Sequence, residues 1–158
     1  MGGAGSGKSF IAERLSKELN LPHFDLDNIF WDNNANEYGV KAPLTERDNK
    51  LKEIVEQPLW ILEGVYLKWV APSFKLADRI FVLTTPIEIQ EKRIWHRYEK
   101  RKNGVISSKK ETFESIIELI EWNKKYNHDF LSNFVRDNEY KEKIIQVDDN
   151  EDVLDYFI

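Results

Sequence analysis

Gly2, Gly3, Ala4, Gly5, Ser6, Gly7, Lys8 and Ser9 follow the order G-x-x-x-x-G-K-[ST], which a chain of this length matches by accident about once in a few hundred. The glycines let successive backbone N–H groups converge on a phosphate, and a helix that follows points its positive end at it. Lys8 then reaches the β and γ oxygens and Ser9 is placed to ligate Mg2+. The chemistry implied is the binding of a nucleoside triphosphate, ATP in the first instance, together with Mg2+.

Three further groups could complete such a site. Asp25 and Asp27 lie two apart in His23–Asp27, and on an extended backbone such a pair shares one face. Asp25 then approaches the Mg2+ shell while Asp27 holds or deprotonates an acceptor hydroxyl; the plainer alternative is a solvated Asx turn. Glu63 follows the apolar run Leu59–Leu62, where P-loop proteins keep the acid that orients the metal or its water. The expected metal-side donors are therefore Ser9, Asp25 and Glu63. Arg93, Arg97 and Arg101 repeat at i, i+4, i+8, and no i±3 or i±4 neighbour within the helix is a carboxylate. Such a stripe suits transferring phosphoryl oxygens, with Lys8, Asp27, Arg93 and Arg97 in catalytic roles and Arg101 on the nucleotide. His96 and His128 are isolated and read as surface or packing residues. Trp60, Trp69, Trp95 and Trp122 read as core or groove wall, and Trp31, near Asp27, as a substrate-lining residue.

Alternating strands and helices must position these groups. Ile11, Leu15 and Leu19 predict a helix over residues 9–19, followed by a strand at Leu21–Leu26 and an irregular or partly helical segment over 28–44. A capping box at Thr45–Asp48 opens a helix that Pro58 limits. The runs Leu59–Leu62 and Ile80–Leu83 read as strands buried on both faces, and Lys143–Val147 as the last strand. Thr85 as N-cap with Pro86 at the first helical position opens a helix to Asn103-Gly104. A second box at Ser108–Glu111 introduces a helix to about residue 134. This pattern predicts an α/β, three-layer sandwich with a parallel sheet and the ligand at the strands' carboxyl ends. Only Met1 precedes the loop, so its anchoring strand is expected to be missing or truncated, with about five apolar residues belonging before Gly2.

With 158 residues, 41% of them apolar, the chain suits one domain, 1–158. It has no cysteine, which removes disulfides, thiol nucleophiles and thiolate metal sites. No run of about 18 apolar residues and no secretion leader is evident, so a cytoplasmic chain outside membranes is expected. The net charge is −5, but residues 148–158 hold five acids and no Lys or Arg, leaving a neutral body and an acidic tail. Within that body, residues 92–110 carry eight basic residues against Glu99 alone. The neutral body argues against direct nucleic-acid binding.

The chain resembles the adenylate-kinase-related P-loop proteins, and within them the small DNA topology modulation (FlaR-type) group. The likeness runs over Gly2–Ser9, Pro22–Trp31, Trp60–Tyr66, Ala77–Leu83, and Arg93 with Arg97. It implies a P-loop NTPase fold with sheet order 2-3-1-4-5, ATP and Mg2+ as cofactors, and a lid around residues 93–112. The pair Asp25-x-Asp27 is also similar to that of shikimate kinase. Adenylate kinases carry Asp-Gly-Phe-Pro-Arg after the third strand, whereas this chain has Glu63-Gly64-Val65-Tyr66-Leu67 and so lacks the arginine that grips a nucleoside monophosphate. The guanine-reading Asn-Lys-x-Asp motif has only Asn123-Lys124-Lys125-Tyr126 as counterpart. The expected activity is phosphoryl transfer from ATP to an unidentified small-molecule or nucleotide acceptor by a monomer or homodimer. The alternative is a nucleotide-binding regulatory module without robust kinase activity.

Overall fold

The computed structural model describes residues 1–37, 39–104 and 111–157. Its elements run α1 (Lys8–Leu19), β1 (His23–Asp25), α2 (Asp27–Phe30), α3 (Leu44–Val55), β2 (Ile61–Glu63), α4 (Ala71–Leu76), β3 (Ile80–Leu83), α5 (Ile87–Lys102) and α6 (Phe113–Lys125). A π-helical turn (Tyr126–Leu131), α7 (Ser132–Asp137), a 3-10 turn (Lys141–Lys143), β4 (Ile144–Val147) and a 3-10 run (Asn150–Tyr156) complete the chain.

The strands form two parallel ladders. β1 pairs with β2, Asp25 opposite Glu63, and β3 pairs with β4, Leu83 opposite Val147. No strand pairing joins the two ladders among the described residues, so the expected order across them is not formed; Gly2 bridges Leu83 in parallel, and the Met1 carbonyl accepts from Leu83 N at 2.8 Å. The Met1 amine donates to the Phe81 carbonyl at 2.7 Å, and burial lowers it to about 5. Beside it lies a cavity of about 860 Å3 lined by Leu26, Leu62, Val70, Phe74, Ile80 and Phe81, among others.

Successive residues of a strand point to opposite faces, and β3 shows what covers each. Ile80 and Val82 join a core with Leu51, Ile54, Val55, Phe74 and Leu131, drawn from α3, α4 and the π-helical turn. Leu83 joins Ile11, Leu15, Val147, Val153 and Leu154, and Phe81 packs against that second core. Elements therefore cover both faces of β3. A third cluster, Ile94, Ile116 and Ile120, zips α5 to α6.

Several expected boundaries move. Leu59 is 58% exposed, so the strand of the 59–62 run begins only at Ile61, whose N–H reaches the Pro22 carbonyl. α3 starts at Leu44 after Pro43 and receives no side-chain cap, so Thr45 sits inside the first turn. α5 is preceded by Pro86 as cap residue, because the Thr85 hydroxyl is spent on the Ser6 carbonyl at 3.2 Å. Ser108 of the second expected capping box lies outside the described residues; α6 is capped instead by a reciprocal Thr112–Ser115 pair. The acidic terminus is docked rather than a free tail: Val153 and Leu154 are buried, and Glu151 pairs with Arg14. No helix among the described residues is long and apolar enough to cross a membrane.

Candidate functional site

Residues 2–7 wrap into a loop at the amino end of α1, against the carboxyl end of β3. Gly5 (φ 76°) and Gly7 (φ 91°) take left-handed backbone angles that other residues reach only at a cost. Ser6 is fully buried, and its hydroxyl donates to the Gly3 carbonyl at 2.8 Å. No side chain caps α1 at Gly7. The first amides of that helix thus face the loop mouth unclaimed by a cap, the usual seat of an anion.

Lys8 and Ser9, the first two residues of α1, each reach back across this mouth. Lys8 Nζ donates to the Gly3 carbonyl at 2.9 Å, and burial lowers its pKa, opposed by the charge of Glu63. Ser9 Oγ donates to Glu63 Oε1 at 2.6 Å. Glu63 is 5% exposed. Burial raises its pKa and Asp25 adds to the effect, while the Ser9 hydrogen bond opposes it. Burial likewise raises the pKa of Asp25. A hydroxyl and two carboxylates at one mouth make an all-oxygen donor set, which fits Mg2+ and not a soft metal. His23 Nε2 lies 3.9 Å from Glu63 Oε1 and is buried without a hydrogen-bond partner among the described residues.

Asp25 and Asp27 are brought together, though not on one strand face. β1 ends at Asp25 and the chain enters α2 through Leu26 in a helical conformation. Asp25 Oδ1 accepts from the Asp27 amide at 2.9 Å, so the Asx turn is formed. This turn leaves Asp27 exposed at the site edge, where its Oδ1 accepts from the Tyr66 hydroxyl at 2.6 Å. Burial and this bond raise the Tyr66 pKa. Behind Tyr66 stands an aromatic wall. Phe30 stacks on Tyr66 with centroids 4.5 Å apart, Trp69 meets Tyr66 edge-on, and Trp31 meets Phe30 edge-on. The Arg47 guanidinium lies over Phe30 at 4.8 Å and over Trp69 at 5.7 Å. Arg47 Nε and Trp69 Nε1 are buried with no hydrogen-bond partner among the described residues.

The arginine stripe of α5 divides into three environments. Arg93 Nη1 donates to the Gly5 carbonyl at 3.1 Å, directly on the loop. Burial lowers the Arg97 pKa, with Arg101 adding to it and Glu111 and Asp27 opposing. Arg101 is ion-paired with Glu111, so the stripe is neutralised at that end by a residue ten positions on, outside the helix.

Sequence reasoning missed His23, Arg47, Tyr66 and a buried amide group, Gln90, Asn123 and Asn127, that touches the loop. The amides had a signal. Asn123 and Asn127 continue the inward spacing of Ile116 and Ile120, so a polar residue, Asn123, occupies a core position next to a glycine loop, with the half-buried Asn127 one turn on. Arg47 had none, since one arginine on a charged helix carries no periodic signature.

No family model matches the chain. It is 27% identical over 129 residues to the uncharacterized protein YqaC of Bacillus subtilis (strain 168), covering 81% of this chain and 71% of that protein. Among solved structures it is similar to a gluconokinase from Sinorhizobium meliloti 1021, with TM-score 0.55 and 16% identity over 93% of this chain and 78% of the other. It is also similar to an uncharacterized protein from Eubacterium ventriosum ATCC 27560, with TM-score 0.52 and 12% identity over 96% and 89%. The chain shares the α/β fold of these two structures.

Proposed function

We propose that the chain is an ATP- and Mg2+-dependent phosphotransferase acting on a small-molecule or nucleotide acceptor. The observation that carries this reading is the junction at the loop mouth: Ser9 Oγ lies 2.6 Å from Glu63 Oε1, with Lys8 beside it on α1. Gly2–Ser9 form the phosphate seat, with Arg93 on the Gly5 carbonyl, while Arg101 is held by Glu111. Ser9, Glu63 and Asp25 would hold Mg2+, which would supply charge neutralisation on the triphosphate. The kinase-like fold and the gluconokinase neighbour support nucleotide use.

The acceptor lies against Tyr66, between Asp27 and Arg47. Its hydroxyl hydrogen-bonds to Asp27, which takes the proton as the acceptor oxygen bonds to the γ-phosphorus and the bond to the β–γ bridging oxygen breaks. Lys8, Arg93 and Arg97 stabilise the charge on the moving phosphoryl group and on ADP. Residues 93–112 act as a lid on a single domain, in the cytoplasm.

The test is incubation with ATP, Mg2+ and a panel of nucleosides, nucleoside monophosphates, sugar acids and other small hydroxy compounds, with Lys8→Ala as control. Acceptor-dependent ADP release that Lys8→Ala abolishes is the expected result. ATP binding with no turnover on any acceptor favours a regulatory module, and no ATP binding at all refutes both.

A further inference from the structure

The phosphate loop is held by side chains of α5 and α6 as well as by its own turns. Asn123 is 1% exposed on the inward stripe of α6. Its Oδ1 accepts from the Ala4 amide at 2.7 Å, and its Nδ2 donates to the Ala4 carbonyl at 3.1 Å. One side chain thus binds both polar groups of a loop residue, as a neighbouring strand would. The same Nδ2 donates to Gln90 Oε1 at 2.9 Å. Gln90, also 1% exposed, donates through Nε2 to the Thr85 carbonyl at 2.6 Å and to Asn127 Oδ1 at 3.2 Å. Asn127 Nδ2 in turn donates to the Asn123 carbonyl at 2.7 Å.

Every amide of this trio is therefore satisfied, the condition under which a buried polar network rigidifies what it touches. The seat is close. A Cβ on Gly3 would stand 2.4 Å from Asn123 Oδ1 and from Asn127 Nδ2, and one on Gly5 2.5 Å from the Gln90 carbonyl oxygen. The trio also sits at a junction. Gln90 and Arg93 share α5, Asn123 lies in the last turn of α6, and Asn127 sits in the π-helical turn, a widening that recurs at functional sites.

We propose that Asn123, backed by Gln90 and Asn127, is a positioning residue for the phosphate loop. It fixes the Ala4 peptide so that the amides beyond it converge on phosphate, and it couples the loop to α5 and α6. The proposal rests on the reading of this loop as a nucleoside triphosphate site. Were the trio only glue between α5 and α6, its removal would lower stability and leave the nucleotide affinity of the folded chain alone.

The test measures the MgATP dissociation constant by calorimetry, at a temperature where circular dichroism shows each protein folded, and hydrogen exchange at the Ala4 amide by NMR. For Asn123→Leu, about tenfold weaker MgATP binding and faster Ala4 exchange are expected. For Asn127→Ala, which keeps both bonds to Ala4, a weakening of about threefold is expected. If Asn123→Leu does not fold, Gln90→Met and Asn127→Ala decide by the same two readouts. A folded variant with wild-type affinity and wild-type Ala4 exchange overturns the proposal while leaving the site's function intact. A wild-type chain that binds no MgATP removes the functional reading, and the clamp's role falls with it.

Discussion

Lys8 shows how a single residue anticipates its ligand. Its ammonium lies 2.9 Å from the Gly3 carbonyl, a neutral acceptor that a phosphate oxygen outcompetes because a charged acceptor makes the stronger bond. Burial depresses its pKa, so part of the cost of desolvation is met before phosphate arrives. Lys8→Ala is expected to lower kcat by about 10²- to 10³-fold, as removal of a preorganised transition-state donor does, measured as acceptor-dependent ADP release. At the metal side the sign of the pH effect follows from Asp25 and Glu63, both raised by burial, with Asp27 adding to the rise at Asp25 and Asp25 to the rise at Glu63. A carboxylate whose folded pKa is raised adds stability below its unfolded value, and that contribution is lost as pH rises through the folded value. The metal-free protein therefore loses stability from this pair as pH climbs past the ordinary carboxylate range. On the proposed function, Mg2+ bound to the ionised pair reverses the loss. The melting temperature should rise with Mg2+ more at pH 7.5 than at pH 4.5, and an equal rise at both would show that these carboxylates do not hold the ion.

Secondary-structure elements were legible in proportion to how strongly burial dictates their pattern. β3 occupies the expected Ile80–Leu83 because four consecutive apolar residues fit a strand covered on both faces. α1 and α6 follow their apolar stripes. Capping was read less well, since a Thr or Ser followed three residues on by an acid arises often and its hydroxyl can be claimed elsewhere, as the Ser6 carbonyl claims Thr85. The cap that forms, Thr112 with Ser115, lacks the acidic third residue that marks the motif: Thr112 Oγ1 accepts from the Ser115 amide at 3.1 Å, and Ser115 Oγ from the Thr112 amide at 3.0 Å. This cap sets the start of α6 at Phe113. Thr112→Ala should cost about 1 kcal/mol, read from the urea midpoint at unchanged m-value. A loss indistinguishable from zero would mean that tertiary packing of Ile116 and Ile120 alone starts the helix. The site was legible where it lies within one segment, the loop and its lysine. Its cross-chain parts were not: Tyr66 meets Asp27 over 39 positions and Asn123 meets Ala4 over 119, and no local spacing records such contacts.

At the scale of the whole molecule, the loop is where separate parts of the fold meet. The two ladders share no strand-to-strand pairing among the described residues. Around the loop, however, Ser9 of α1 binds Glu63 of β2, Arg93 of α5 binds Gly5, and Asn150 of the terminal run lies where a Cβ on Gly7 would touch it. The acidic terminus thus serves as packing for α1, through Val153 and Leu154 against Ile11 and Leu15. A ligand bound at the loop links both ladders, so its binding energy acts on global unfolding and not on a local loop. MgATP at about 100 times its dissociation constant should add about 2.7 kcal/mol. For a domain of this size that is a rise in melting temperature of about 5 to 10 °C. The same nucleotide concentration should move Lys8→Ala by no more than about 2 °C, since the affinity, and with it the linkage, is lost. Mixed-sequence single-stranded DNA should shift neither protein, because the body's neutral charge gives it little counterion release to draw on. An equal MgATP shift in wild type and Lys8→Ala would place the nucleotide somewhere other than the loop. A DNA shift as large as the MgATP shift would move the basic α5 from phosphoryl transfer to nucleic-acid binding.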